Sequence, residues 1–335
     1  MKKLSVIIPY HNEEEEEIIT MFQCLDSQMG VDWDKVEIIV TNDHISPKNL
    51  DQFFIEFPRV KKSLRYLHCP IHFGPGPNRQ YAIDNANGEF LMFLDSDDEL
   101  ASSTVLKEVL SVLDSSVDVY KTAEYTINED GVIGVSSPDN GFLHNKIIRK
   151  DFLLKNNIKF PPDIRIFEDV FYLNLIKLAN PVFVSGAISP YYIYNYNTNS
   201  ITRNIDKIDP ALLARDWLLV TIYMFQSMMM NNSIDNSRII NSYKSYLIQL
   251  YKAEKEEYTA ISKEIREDQV GYVINKLDDR LIIAMSMQVK TVGNESFHSW
   301  IKRVANTKKV DIIEEEYNFT ANDLIPIRKR KKYEH

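Results

Sequence analysis

Asp95, Asp97 and Asp98 lie at the end of Gly88-Glu89-Phe90-Leu91-Met92-Phe93-Leu94. Carboxylates this dense repel one another unless a cation joins them. Hard divalent ions such as Mg2+ or Mn2+ take oxygen ligands, commonly one or two carboxylates plus substrate phosphates. A strand-to-helix turn capped by an Asp is the other reading, and the motif alone leaves both open. A second acidic pair, Glu168-Asp169, follows Phe160-Pro161-Pro162 and stands at the start of a helix. A carboxylate facing a cleft there could accept a proton in catalysis. Acidic residues are also ordinary decoration of a first helical turn.

These groups need a frame that brings distant segments together. Phe90–Leu94 is a short, unbroken apolar run between turn signals, the pattern of a strand buried on both faces. Leu4–Ile8, Val36–Thr41 and Leu64–His68 read as further strands. Helices are expected from Glu13 to about Met29, from Pro47 to Phe57, from Asn78 to Ala86 after the Gly/Pro loop Phe73-Gly74-Pro75-Gly76-Pro77, and from Ser102, as cap, to Leu113. Glu14–Glu17 suits a helix N-terminus on dipole grounds alone, with Glu13 set apart from that reading. Strands alternating with helices at this spacing imply βαβ units and a mostly parallel sheet. Tyr10, Asp43 and Asp95 each fall just after a strand, so they can meet at the edge of the sheet where ligands bind in such folds.

Beyond residue 115 the rhythm changes. Val117–Ile127 and Val132–Val135 read as a hairpin about Glu129-Asp130-Gly131. A strand over Phe142–Ile148, a helix over Lys150–Asn156, a helix reaching Leu178, and strands at Val182–Ser185 and Tyr191–Tyr194 follow. From about Asp209 the pattern is helical. The expected division is a domain over 1–205, a helical region over 206–325 that recognises an acceptor or self-associates, and a basic tail over 326–335.

With 335 residues, 44% apolar and 26% charged, the chain is an ordinary globular protein of two domains or one with an appendage. The net charge of −9 argues against broad nucleic-acid binding, although Arg328-Lys329-Arg330-Lys331-Lys332 is a local exception. Cys24 and Cys69 give no disulfide framework, which suits a reducing compartment. The apolar stretch Trp217–Met230 is shorter than the ~20 residues a membrane span needs. A cytoplasmic protein with no integral membrane segment is expected.

The ordered set Val6-Ile7-Ile8-Pro9-Tyr10, Asn42-Asp43, Arg79, Gly88 to Asp98 and Glu168-Asp169 resembles the family-2 glycosyltransferases over residues 4 to 203. The resemblance implies the GT-A fold, a Rossmann-like, mostly parallel α/β sheet with helices on both faces, here followed by a mainly helical C-terminal region. It implies an inverting enzyme using a nucleotide-sugar donor, with UDP as the expected nucleotide, and Mn2+ or Mg2+ as cofactor. Pro9 and Tyr10 then match positions framing the base, and Asp43 matches an acceptor for its N–H. Arg79 matches a basic residue near the diphosphate, where a guanidinium fork suits phosphate oxygens. Asp95, with Ser96 beside it, matches the position facing ribose and sugar, and Asp97, together with Asp95, the metal site. Asp169 matches the catalytic base, with Glu168 supporting it. Ser200, Thr202 and Arg203 match a segment that closes near the donor phosphates.

Three departures mark the donor pocket: His72 stands where the family usually has Asn, Asn78-Arg79-Gln80 replaces Ala-Arg-Asn, and Asn42-Asp43-His44-Ile45 replaces Asp-Asp-Gly-Ser. The expected acceptor is a surface glycan or cell-wall polymer. A hydroxymethylated base of viral DNA is the alternative acceptor. A nucleotidyltransferase is the alternative activity, although Tyr10-His11-Asn12-Glu13 occupies the place of its usual glycine-rich, lysine-bearing loop.

Overall fold

The structure, a computed structural model, describes residues 2–197 apart from 12, 46–48, 50–54, 71–73 and 139–140, together with Asp216 and Val220. In chain order the elements are β1 (Leu4–Tyr10), α1 (Glu15–Asp26), β2 (Val36–Asn42), α2 (Pro58–Ser63), β3 (Leu64–His68), α3 (Pro75–Asn85), β4 (Phe90–Phe93), β5 (Glu99–Leu100) and α4 (Val105–Val112). They continue with β6 (Val119–Lys121), β7 (Glu124–Ile127), β8 (Ile133–Ser136), β9 (Lys146–Arg149), α5 (Lys150–Lys155), α6 (Glu168–Leu178), β10 (Phe183–Ser185) and β11 (Tyr192–Tyr194).

The first four apolar runs form a parallel block, β3-β2-β1-β4. Strand β9 joins it antiparallel to β4, and β6 and β10 complete a seven-stranded sheet. Both faces are covered. Leu4, Val6, Ile8 and Tyr10 alternate to one side, where they pack with Ile18, Phe22 and Leu25 of α1 and Leu106 and Val109 of α4. Ile7, Ile39, Leu91 and Phe93 turn to the other side, against Ala82 and Ile83 of α3, Phe152 of α5 and Tyr172 of α6. This double cover is why these strands are apolar at almost every position rather than alternating.

Several boundaries differ from the sequence reading. The segment 117–127 is two strands in two sheets. Strand β6 belongs to the large sheet, and β7 pairs with β8 and β11 in a four-stranded sheet ordered β5-β11-β7-β8. The break falls at Thr122-Ala123, where Thr122 N–H donates to Asn145 O (3.1 Å). A period-2 pattern shows that a segment is extended, not which sheet receives it. Helix α4 starts at Val105 with Thr104 at the cap position, and Ser102 Oγ accepts from Thr104 N–H within the preceding turn (3.3 Å). Helix α3 starts three residues earlier than expected because Pro75 occupies its first turn, where the missing N–H costs nothing. Of the helix expected over Pro47–Phe57, Ile55 and Glu56 are helical, and most of the rest lies outside the described residues; the unexpected α2 follows at Pro58.

The chain divides into two units, Met1–Ser200 and Ile201–His335. The expected helical region and basic tail therefore lie almost wholly outside the described residues. Among the described residues no helix is long and apolar enough to cross a membrane.

At the end of the sheet where β1 and β2 begin, the buried Glu37 carboxylate accepts from Ser5 Oγ (2.6 Å), Gly88 N–H (3.1 Å), Asn87 Nδ2 (3.0 Å) and Arg65 Nη1 (3.1 Å). A Cβ on Gly88 would overlap the backbone of Ser5, so the turn ahead of β4 needs glycine here to reach these partners. Burial pushes the Glu37 carboxyl up, but the hydrogen bonds from Ser5 and Asn87 and the contact with Arg65 outweigh it and hold its pKa below 4.5. A depressed acid contributes stability above its unfolded pKa and loses it as pH falls through the folded one. Thermal midpoints of the wild type should therefore drop on acidification below about pH 4.5, and those of Glu37→Gln should be lower at pH 7 with a flatter acid limb.

Candidate active site

The opposite end of the sheet gathers the predicted groups. Strand β1 ends at Tyr10, whose ring is 2% exposed and sits in the core beneath α1. Pro9 is buried in the same strand, opposite Thr41. Tyr10 reaches the site through its backbone, where its carbonyl accepts from Asn78 Nδ2 (3.0 Å) and Asp43 N–H (3.3 Å). Asp43, just past β2, is buried; Oδ1 lies 2.7 Å from His11 Nδ1, and Oδ2 accepts from Gly74 N–H (3.3 Å). Gly74 caps α3 with a φ of 93°, a left-handed backbone that favours glycine. Asp43 thus ties the end of β2 to the start of α3 and to the segment after β1.

Helix α3 presents Arg79 to two elements at once. Nη2 donates to Asp95 Oδ1 (2.7 Å), and Nη1 donates to Glu168 Oε1 (2.8 Å). Close approach of α3 to α6 makes the second bond reachable: a Cβ on Gly76 would come within 2.8 Å of Glu168 Cγ. Burial works against the guanidinium charge, but Asp95 and Glu168 more than offset it, so Arg79 stays charged. Burial likewise favours a neutral Asp95, but the Arg79 guanidinium outweighs it and holds the carboxyl below the usual range.

The acidic loop after β4 splits by direction. Asp95 and Asp97 are half-buried, while Ser96 and Asp98 point inward. Asp98 differs from the other two carboxylates of the loop in being 1% exposed. Its Oδ2 accepts from Tyr192 Oη (2.5 Å), and its Oδ1 accepts from Asn195 N–H (2.7 Å). Tyr192 Oη also accepts from Asp95 N–H (3.2 Å), so β11 braces both ends of the loop. Asp97 Oδ2 accepts from Asn197 Nδ2 (2.8 Å), which donates as well to Glu17 Oε1 (3.0 Å). Glu17 is therefore drawn toward the site, beyond the helix-start role expected of it. Glu13 accepts from His11 N–H (2.8 Å) and lies against Ser96; burial and Asp97 raise its pKa. Burial and neighbouring carboxylates also raise Asp97 and Asp98.

Glu168 and Asp169 form the first turn of α6, entered through a left-handed Phe167 (φ 68°). Glu168 is buried against Arg79, whereas Asp169 is half-buried and accepts only a bond from the adjacent Val170 N–H (2.7 Å) among those observed. Burial pushes both upward, helped by the Asp169 charge at Glu168 and by the Asp95 charge at Asp169, and a raised carboxylate is a stronger proton acceptor. His72, Ser200, Thr202 and Arg203 lie outside the described residues.

The sequence reading missed His144. Its ring lies in the loop before β9, and its ligand nitrogen, an Asp95 oxygen and an Asp98 oxygen all fall within 4.8 Å of one another. No local motif marks it; only the pairing of β9 with β4 brings it here. The two carboxylates and one imidazole of this set fit a hard divalent cation.

The family described as Glycosyl transferase family 2 matches residues 5–167. Over that segment the chain is similar to glycosyl transferase family 2. The mixed α/β domain with its mostly parallel sheet carries the GT-A architecture expected from the sequence. The chain is 28% identical over 208 residues to a poly(ribitol-phosphate) β-glucosyltransferase of Bacillus spizizenii, covering 57% of this chain and 32% of that protein. It is 30% identical over 210 residues to the Staphylococcus aureus poly(ribitol-phosphate) β-N-acetylglucosaminyltransferase TarS, covering 57% of this chain and 35% of that protein. The match thus spans about a third of these relatives. The crystal structure of S. aureus TarS 1–349 in complex with UDP-GlcNAc superposes with a TM-score of 0.62 at 19% identity, covering 93% of this chain and 95% of that one, a likeness of fold.

Proposed function

We propose that this chain transfers a sugar, with inversion, from a UDP-activated donor to a hydroxyl of a surface glycan or cell-wall polymer. The carrying observation is the Arg79 clamp: one guanidinium joins Asp95 of the acidic loop to Glu168 at the start of α6. Next to Glu168 stands a second carboxylate, Asp169, with no ion pair among the described residues. The relatives' names support sugar transfer to a polymer, and the likeness to the family supports a nucleotide-sugar donor.

Asp43 and the strand ends at Tyr10 frame the nucleotide, and Arg79 holds Asp95 toward ribose and sugar. Asp95 and Asp97, with Asp98 and His144 beside them, would hold Mn2+ or Mg2+, which when bound supplies positive charge to the leaving diphosphate. Asp169 accepts the proton of the acceptor hydroxyl as that oxygen attacks the anomeric carbon opposite the diphosphate. Cys24 and Cys69 form no disulfide, which suits the cytoplasm.

The test is hydrolysis of a panel of nucleotide sugars by the purified chain with Mn2+, Mg2+ or chelator, then transfer to polymer acceptors. Release of UDP should require metal and fall to background in Asp97→Ala. Full activity of that variant in chelator would remove the metal assignment. Preference for a non-uridine donor would leave the transferase reading and remove UDP.

A further inference from the structure

Asp43 is closed to a bound base. Its side chain is 2% exposed, Oδ2 accepts from Gly74 N–H, and Oδ1 lies 2.7 Å from His11 Nδ1. A ligand would have to displace these partners to reach the carboxylate. His11 is the opposite case, with a side chain that is 61% exposed. Among the described residues its ring makes one hydrogen bond, through Nδ1. A carboxylate only accepts, so this contact assigns the ring proton to Nδ1. Nε2 is left with a lone pair and no protein donor. The residue is held on two further sides: its backbone N–H donates to Glu13 Oε2 (2.8 Å), and the His44 ring meets its own edge-on, with centroids 5.0 Å apart.

The topology puts this imidazole where a nucleotide would lie. His11 directly follows β1, and β1 stands between β2 and β4 in the parallel block. The strand order reverses here, with β2 and β3 to one side and β4 to the other. Open parallel sheets bind nucleotides outside the strand ends at such a reversal. Asp43 follows β2 and the acidic loop follows β4, so the His11–Asp43 pair and the Asp95–Asp97 pair flank the same crevice. A local contact joins the two sides, because Glu13, which accepts from His11 N–H, also hydrogen-bonds Ser96 of the loop.

We propose that His11 Nε2 accepts a hydrogen bond from the N3–H of the donor's uracil, and that Asp43 acts on the base through His11, by fixing its tautomer. This rests on the UDP-donor reading and names the group that selects the base. A lone pair at that point suits uracil, which offers N3–H. It opposes cytosine, whose N3 is itself an acceptor. The direct contact between Asp43 and the base that the resemblance implied is replaced by a two-residue relay, with the buried acid orienting an exposed ring.

The probes are UDP, N3-methyl-UDP and CDP, each titrated by calorimetry into the full chain in Mn2+. Methylation at N3 removes the donor and leaves the ribose and diphosphate unchanged. The wild type should bind UDP about five- to thirtyfold more tightly than either of the others, the worth of one hydrogen bond whose loss leaves a partner unpaired. In His11→Ala, a change at an exposed position that folding tolerates, UDP should lose that factor and the three should bind alike. A methylation penalty that persists in His11→Ala would mean that another group reads N3–H and would overturn the assignment. Equal binding of UDP and N3-methyl-UDP to the wild type would overturn it too. In both cases UDP still binds, so the donor reading stands. A wild type that binds none of the three would remove the UDP donor, and the role of His11 with it.

Discussion

Asp169→Asn should lower turnover by about two to four orders of magnitude while leaving donor affinity nearly unchanged, the usual cost of removing a general base. The amide keeps the shape of the side chain and the bond to Val170 N–H and removes only the basicity. The structure separates the two adjacent acids in a way their sequence positions do not. Glu168 is turned into the clamp with Arg79, so Glu168→Gln should act on stability and on the placement of Asp95 before it acts on proton transfer. Normal turnover in Asp169→Asn together with a dead Glu168→Gln would exchange the roles. A product that retains the anomeric configuration would remove the single displacement altogether. The pH profile adds a second readout. A base must be ionised to work, so activity is lost as pH falls through its pKa. Burial raises Asp169, so the acid limb of kcat/KM should lie above the ordinary 3.8 of an aspartate. The apparent value belongs to the Glu168–Asp169 pair, and replacing Asp169 should flatten that limb.

Arg79→Met should destabilise the protein by about 3–5 kcal/mol, because it leaves buried carboxylates with no partner cation. Glu168 loses one bond and Asp95 another, and the two elements they belong to lose their shared anchor. The loss should shrink on acidification. Without Arg79, burial and Asp169 raise Glu168 further. An acid raised in the folded state costs stability above that pKa and costs least when protonated. Chemical denaturation at pH 5 and pH 8 reads this directly: the deficit of Arg79→Met should be larger at pH 8. Combining Arg79→Met with Glu168→Gln should recover part of the loss, giving a coupling energy on the order of 1–3 kcal/mol in the double-mutant cycle. Equal deficits at both pH values with no recovery in the double variant would mean that the clamp contributes little.

What was legible in the sequence follows from local physics. Leu4–Ile8, Val36–Thr41 and Phe90–Leu94 announce buried strands and Leu64–His68 a half-buried one, and they form one parallel block because the segments between them are long enough for crossover helices. Asp43 and Asp95 stand just past strands and Asp169 at a helix start, while the roles expected of Asp43 and Asp169 come from the family resemblance. In this fold such positions face one edge of the sheet. The direction of each side chain beyond that was not written locally. Asp97 and Asp98 are neighbours of one type, yet one stands half-open and the other is buried under Tyr192, because β11, ninety-odd residues later, pairs beside β5. The Arg79 clamp needed α3 and α6 to meet across Gly76, a contact set by packing on the far face of the sheet.

The sequence by itself determined the order of strands and helices, the apolar double-faced sheet and the set of acids available to the site, since each depends on residue type and short-range spacing. Only the tertiary structure decided which acids pair with Arg79, which is buried as a brace, and which are left half-open. It also brought His144 to the acidic loop. These outcomes depend on desolvation and on charges from distant segments. Such terms exist only after the chain has closed, so no local pattern of residues encodes them.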